Sequence, residues 1–382
     1  MTLAFITNFI NHHQIHLADE FYKILGDGYK FIATEPIPDS FIKTGYPIYD
    51  RDYLVNAYES TSELERAITI ANDSDVVIIG SAPEIFVEKR IGENKLTFRY
   101  NERWFKSRPW FLTGPRGWIN FWKNHIKHRN KPLYMLCASA FTAKDVNTIG
   151  AYKNKCFKWG YFTKVDELDL DELNERHKAS ERSVRIMWCA RFIDFKHPEM
   201  PIKLAARLKV KGYKFVINMY GGGEELDRTI RLAKSLNVDD CVNFIGNRPN
   251  NQILEAMRKH DIFLFTSDRN EGWGAVLNEA MSCGCAVVAS HKIGAVPFLI
   301  DDGINGLVFK SGNLDSLEVK VIELIECAEK RKELSRNAHK TITEVWSPEN
   351  AAHQFLNLVK AIVNNDVYQI PQNGPCSLIE SI

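Results

Sequence analysis

Short apolar runs recur along this chain, separated by polar stretches with helical spacing. In the first half they fall at residues 3–7 (LAFIT), 31–33, 76–80 and 134–138, and in the second half at 184–189, 215–220, 242–245, 262–265 and 286–289. Between them, residues 15–25, 62–70, 84–91, 202–208, 224–235, 250–259 and 275–281 read as helices. Strand and helix in alternation predict βαβ units and parallel sheets, which bind ligands at the carboxyl ends of their strands. Residues 301–309 read as a turn into a short strand, 314–334 as a helix, and 348–363 as a final helix. Ser347 is placed to cap that last helix and Pro348 stands in its first turn. The tail from 369 onward reads as irregular.

One stretch, residues 261–309, concentrates the candidate chemistry. After the run 262–265 come a polar turn (267–270), an acidic-glycine corner (Glu271, Gly272, Trp273, Gly274), a helix beginning near Gly274 to Ala275, and a second apolar run. Such a helix puts Glu279 in its second turn, at most roughly 12 Å from Glu271 at 1.5 Å of rise per residue. That distance spans much of a nucleotide sugar. One acid can hold the sugar and the other the ribose, while the amides of 272–275 face a diphosphate.

Length changes the picture next, because 382 residues exceed what one core usually supports and so predict two domains. The 49 Lys and Arg nearly balance the 48 Asp and Glu, which argues against a nucleic-acid binder. Eight cysteines lie mostly in or beside apolar runs with no CxxC pair, the pattern of reduced core thiols in a cytosolic protein. The first apolar run is too short for a membrane span and lacks a basic lead-in, so it reads as a strand.

The run EGWGAVLNEAMSCGCAVVAS (271–290) resembles the signature of family 4 retaining glycosyltransferases of the bacterial surface-polysaccharide type, which carry an E-x7-E motif. The resemblance is tight over 184–309 and generic before that. It implies an α/β GT-B fold, two Rossmann-like domains facing across a cleft, with a C-terminal helix returning to the first. The boundaries expected are 1–165 for an acceptor-side domain, 166–183 for a linker, 184–345 for a nucleotide-sugar domain, 346–366 for the crossover helix and 367–382 for a tail.

Further candidates take their roles partly from residue chemistry and partly from that resemblance. Arg191 and Lys196, just past the run 184–189, match the family's Arg and Lys pair and are two cations able to offset charge on a departing phosphate without a metal. Gly221 and Gly222 permit a tight turn and close backbone approach to a ligand. Asn247 and Arg248 stand where the family meets the nucleotide base. In the first loop, His12 and His13 are candidates for touching acceptor or sugar, with loop surface or helix capping as the plain reading; His13 is preferred for catalysis. The loop after 134–138 has Ser139, Ala140 and Phe141 where family members often place a histidine. After residue 289 the second glycine and the acid of the family are absent, so sugar selectivity is expected to differ. Asp169 and Asp171 form a DxD, but in an acidic run that reads as solvated linker, so no metal site is assigned.

Between residues 95 and 131, ten Lys and Arg face one acid and are interleaved with Trp104, Phe105, Trp110, Phe111, Trp118, Phe121 and Trp122. An anionic membrane surface or lipid diphosphate, plain packing of long basic stems, and single-stranded nucleic acid all suit that composition. No nucleic-acid motif supports the last. Together these readings predict a cytoplasmic, peripherally membrane-bound, metal-independent retaining glycosyltransferase without a cofactor. It would move a hexose or N-acetylhexosamine from a nucleotide sugar, UDP-linked before GDP-linked, to a hydroxyl of a glycan or lipid-linked acceptor. An epimerase or hydrolase on the same fold and a non-catalytic sugar or lipid binder are the alternatives.

Overall fold

The computed structural model describes residues 1–43, 47–106, 114–165, 173, 176, 183–366 and 369–379. Arg108, Trp110, Phe111, Asp169 and Asp171 lie outside the described residues, as does most of 166–183. The chain divides into two compact units, Met1–Lys164 with Val345–Ile382, and Val165–Glu344.

Unit 1 holds a seven-stranded parallel sheet in the order β3-β2-β1-β4-β5-β6-β7. Its strands are β1 (Leu3–Thr7), β2 (Tyr29–Ala33), β3 (Leu54–Asn56), β4 (Val76–Ile79), β5 (Thr97–Asn101), β6 (Leu133–Cys137) and β7 (Cys156–Lys158). Unit 2 holds a six-stranded parallel sheet in the order β10-β9-β8-β11-β12-β13. These are β8 (Val184–Cys189), β9 (Phe215–Tyr220), β10 (Val242–Gly246), β11 (Ile262–Phe265), β12 (Ala286–Ser290) and β13 (Leu307–Phe309). Both sheets are doubly wound, so the α/β, Rossmann-like expectation holds for each unit.

Central strands such as β1, β4, β11 and β12 are buried at every position, which is why they read as continuous apolar runs. β3, β5 and β7 escape the sequence reading for the opposite reason. β3 and β7 have three residues each, and β5 (TFRYN) carries a buried arginine, Arg99, whose guanidinium takes both carboxylate oxygens of Glu84 at 2.7 and 2.8 Å.

Several helices are also corrected. The expected helix 84–91 is a 3-10 turn, Glu84–Phe86, followed by Glu88–Gly92. The expected helix 314–334 is two helices, Leu314–Glu326 and Ala328–Lys340, parted at Cys327. The last helix, Pro348–Val363, is capped by Ser347, whose Oγ accepts from the Asn350 amide at 3.2 Å. It packs on the helix Ile15–Leu25 of unit 1, and Phe355 meets Phe21, Phe98 and Trp159 with ring centroids 5.0–5.8 Å apart. The tail is irregular, as expected, but held in place: Leu378 bridges Phe157 of β7, and Cys376 and Ser377 are buried. All eight cysteines are free thiols, five of them buried and Cys327 exposed.

Candidate active site

In unit 2 the chain builds β8, β9 and β10 outward on one side, then crosses to build β11, β12 and β13 on the other. The carboxyl ends of β8 and β11 therefore flank the point where the winding reverses, the place where open α/β sheets form a crevice. Two loops leave the sheet there and are fastened to each other. Trp188 at the end of β8 donates its indole N–H to the Thr266 hydroxyl at 2.9 Å, and that hydroxyl donates to the Lys196 carbonyl at 2.6 Å. The Asp268 amide donates to the Phe195 carbonyl at 3.0 Å. Asp268 also accepts from the Asn270 amide at 2.7 Å, an Asx-turn that aims the next residue, Glu271.

The outcome is an ion pair between Lys196 Nζ and Glu271 Oε2, each side chain only 12% exposed. The ammonium lies near the rings of Phe195 and Phe265, 5.2 and 5.7 Å from their centroids, so it is held by apolar surface as well as by the carboxylate. Arg191, on the same loop, is exposed and has no side-chain partner among the described residues. The structure thus brings Lys196 and Glu271 together from positions seventy-five apart in sequence, with Arg191 on the same loop as Lys196.

The glycine corner then turns the chain into the helix Val276–Ser282. Gly274 has φ +91°, and a Cβ there would stand 2.5 Å from the Phe265 ring, so no other residue fits. The helix starts two residues later than the sequence suggested, which moves Glu279 from its second turn to its first. Among the described residues, the N–H groups of Gly272, Gly274 and Ala275 donate to no protein acceptor, whereas Leu277 already donates to the Gly274 carbonyl. Trp273 is different from its neighbours. It is fully buried and its indole donates to Asn278 Oδ1 at 2.9 Å, so its side chain is a core anchor rather than a binding group.

Glu279 is buried, and its Oε1 accepts from Asn250 Nδ2 at 3.2 Å. Burial raises its pKa from the usual carboxylate range to about 7, with the Asn250 hydrogen bond pulling weakly the other way. Asn250 opens the helix Asn250–Arg258, directly after the exposed Asn247 and Arg248. Sequence reasoning passed over Asn250, Thr266 and Asp268. Only Asp268 left a signal, the S-D-R-N turn composition.

The glycines after β9 form the tight turn expected of them, and they also bring three loops together. A Cβ on Gly221 (φ +123°) would fall 2.0 Å from the Ala190 carbonyl oxygen, and one on Gly223 (φ +150°) 2.4 Å from that of Phe192. Their open space is filled by the protein's own β8 loop, and a Cβ on Gly222 would press on Asn247 at 3.0 Å. The triple glycine therefore packs the β8, β9 and β10 loops together.

In unit 1, His13 sits in the loop after β1 with its ring stacked on Tyr161, centroids 5.4 Å apart and planes 7° from parallel. Burial, with the neighbouring His12 and His16 adding to it, lowers its pKa well below the ordinary imidazole value, so the ring is neutral at pH 7. Its Nδ1 is buried without a hydrogen-bond partner among the described residues. In the loop after β6, where the sequence has Ser139, Ala140 and Phe141 in place of a histidine, Phe141 carries the Arg103 guanidinium over its ring at 5.0 Å.

Comparison with known proteins gives this geometry a context. Residues 169–341 match the family model described as glycosyl transferases group 1. The chain is 23% identical over 198 residues to N-acetyl-alpha-D-glucosaminyl L-malate synthase of Bacillus anthracis, covering 52% of this chain and 51% of that one. It is 27% identical over 199 residues to an uncharacterised glycosyltransferase of Methanocaldococcus jannaschii, 51% and 50% of the two chains. The chain thus spans about half the length of the curated relatives it matches. Anabaena HepE, solved in complex with UDP, shares the fold over 94% of this chain and 100% of its own, with a TM-score of 0.68 at 14% identity. Sucrose-phosphate synthase from Thermosynechococcus elongatus does so over 96% and 100%, at 0.66 and 13%. The fold is GT-B.

Proposed function

We propose that the protein is a retaining glycosyltransferase that moves a sugar from a nucleoside diphosphate, UDP in first place, to a hydroxyl of a glycan or lipid-linked acceptor. The observation that carries this reading is the set of Arg191, Lys196 and Glu271 at the reversal point of the second sheet. As the bond between the anomeric carbon and the β-phosphate oxygen breaks, negative charge gathers on that phosphate. Arg191 and Lys196 are the cations beside it, and the N–H groups of Gly272, Gly274 and Ala275 stand ready for the diphosphate. Glu271 accepts from sugar hydroxyls and Glu279 from the ribose. The acceptor oxygen enters on the face the phosphate leaves, and its proton passes to the departing phosphate oxygen. His13 of unit 1, neutral, is able to accept a hydrogen bond from a ligand hydroxyl.

UDP is favoured because HepE was solved with UDP and with UDP-glucose. Incubation of the protein with UDP-sugars and a mixed glycan acceptor in excess EDTA should yield a glycosylated product with the donor's anomeric configuration. Hydrolysis or epimerisation without an acceptor overturns the reading, and loss in EDTA with recovery on Mg²⁺ or Mn²⁺ overturns its metal independence.

A second surface supports a peripheral membrane location. The structure sorts the basic-aromatic segment: Trp104, Trp118 and Phe121 pack against the core of unit 1, and Phe105 is within it. On the helix Pro115–Asn124, Ile119 and Trp122 instead stand 63% and 59% exposed. Arg99 pairs with Glu84, Arg103 with Asp145 and Lys106 with Glu102. Arg116, Lys123, Lys127 and Arg129 are exposed without a carboxylate partner among the described residues. An exposed Trp and Ile among unpaired cations suit an anionic headgroup layer. No helix among the described residues is long and apolar enough to cross a membrane. Changing Lys123, Lys127 and Arg129 together to Gln should cut binding to anionic vesicles about 10²-fold, at about 1 kcal/mol per charge. Equal sedimentation of variant and parent returns the segment to ordinary packing.

A further inference from the structure

The first sheet has its own reversal point, between β1 and β4, and a polar pocket of about 350 Å3 opens there. Its chemistry is that of amides. Asn8 Oδ1 accepts from the Thr7 hydroxyl at 3.1 Å and Asn11 Oδ1 from the His13 amide at 2.9 Å, which leaves both NH2 groups to donate elsewhere. Gln14, also in the lining, is only 7% exposed, yet its Oε1 has no hydrogen-bond partner among the described residues. A buried carbonyl oxygen left unpaired costs stability until something donates to it.

The charges in the pocket wall are already matched. Lys106 pairs with Glu102 at 2.7 Å, Glu102 also accepts from the Tyr161 hydroxyl at 2.7 Å, and Arg103 pairs with Asp145 at 3.5 Å. A phosphate or carboxylate entering here meets no unpaired cation in the lining. A ring with several hydroxyls suits the same groups, because each hydroxyl both donates, as Gln14 Oε1 requires, and accepts, as the Asn8 and Asn11 NH2 groups require.

Phe9 lines this pocket and also a second one of about 170 Å3, formed by the loops after β1, β2 and β3. That annex is apolar, with Ile10, Pro36, Ile37, Ile42 and Leu54 in its wall. Phe41, whose ring lies 5.7 Å from that of Phe9, and Ile42 keep 37% and 38% of their surface exposed. A polar pocket and an apolar one thus share a single aromatic wall.

We infer that unit 1 binds an uncharged, amphiphilic glycoside: a hydroxylated ring among Asn8, Asn11 and Gln14, with its apolar aglycone running past Phe9 into the annex. The inference rests on the glycosyl-transfer reading for its biological sense, since the glycoside would be the acceptor. Its binding chemistry stands on unit 1 alone. Where the sequence left a lipid diphosphate open as a partner of residues 95–131, this pocket selects against the diphosphate and for the neutral ring.

The test is calorimetric titration of the full chain, without donor, with methyl to hexyl glycosides of glucose, galactose and N-acetylglucosamine below micelle formation, beside the free sugars and their 1-phosphates. Affinity for at least one sugar should rise about fourfold per methylene from methyl to butyl. Gln14→Leu should lower affinity for every chain length about tenfold. Ile42→Ser, at a part-exposed position, should flatten the chain-length dependence while leaving the methyl glycoside unchanged. Tighter binding of a 1-phosphate than of the matching alkyl glycoside overturns the proposal, as does equal binding of free sugar and butyl glycoside, or no binding across the panel. Thermal stabilisation by UDP is measured in parallel. If UDP binds and the glycosides do not, this proposal falls alone; if the glycosides bind and no UDP-sugar transfers to them, it is the transfer reading that falls.

Discussion

Lys196→Ala should lower turnover by a factor on the order of 10² or more, since removal of one group that meets charge developing in the transition state typically has that effect. The structure adds a second consequence. Glu271 would be left as an unpaired, nearly buried carboxylate, so the variant also loses stability, and turnover must be measured on protein shown to be folded. Arg191→Ala is the cleaner companion. Arg191 is exposed and unpaired among the described residues, so its loss should change stability by no more than about 0.5 kcal/mol while turnover falls comparably. Steady-state rates with saturating donor, beside thermal melts, separate the two effects. Unchanged turnover in folded Lys196→Ala removes the cation pair from the mechanism.

Glu279→Gln should weaken nucleoside diphosphate binding about ten- to a hundredfold, the worth of hydrogen bonds from hydroxyls to a carboxylate inside a site. The loss should depend on pH. Glu279 titrates near 7 in the folded protein, so at pH 6 it is largely protonated and accepts poorly, whereas at pH 8 it is ionised. Parent and variant should therefore differ more at pH 8 than at pH 6, and taking the difference cancels the titration of the ligand's own phosphate. The same raised pKa bears on stability. Between the unfolded value near 4.5 and the folded value near 7, the folded state holds the extra proton, so this carboxyl makes the protein less stable as pH rises through that window, and Gln at 279 should flatten the slope. Glu271→Gln, by contrast, should leave nucleoside diphosphate binding nearly unchanged and reduce use of the intact donor. Calorimetry at both pH values decides the matter: equal loss of nucleoside diphosphate affinity in the two variants ends the division into sugar and ribose acids.

How far the sequence reaches depends on whether a feature is local. The fully buried strands β1, β4 and β11, the alternating or largely apolar runs of β8 and β9, and the cap at Ser347 are all written in consecutive residues, where the sequence shows them directly. β5 is hidden because Arg99 belongs to a strand only by virtue of Glu84, fifteen positions away. The site divides in the same manner. Glu271, Glu279 and the glycine corner form one recognisable run, and Arg191 with Lys196 another, but nothing in either run says that Lys196 and Glu271 meet. That meeting depends on Trp188, Thr266 and Asp268, residues of ordinary type in ordinary loops. The triple glycine shows the reverse case. It looks like a ligand loop because glycine permits close approach, but sequence cannot say what approaches, and here it is the carbonyl oxygens of Ala190 and Phe192.

Phe355, seated among Phe21, Phe98 and Trp159, makes unit 1 discontinuous along the chain. On the ribosome the first 164 residues emerge well before the helix that covers them, and residues 165–344 are made in between. At about 5–20 residues per second that interval lasts roughly 10–40 s. Unit 2, a single contiguous stretch of chain, is the first part able to finish folding. The earlier-made unit 1 waits with its aromatic face uncovered, so nascent chains halted between residues 165 and 344 should be the species that hold on to chaperones.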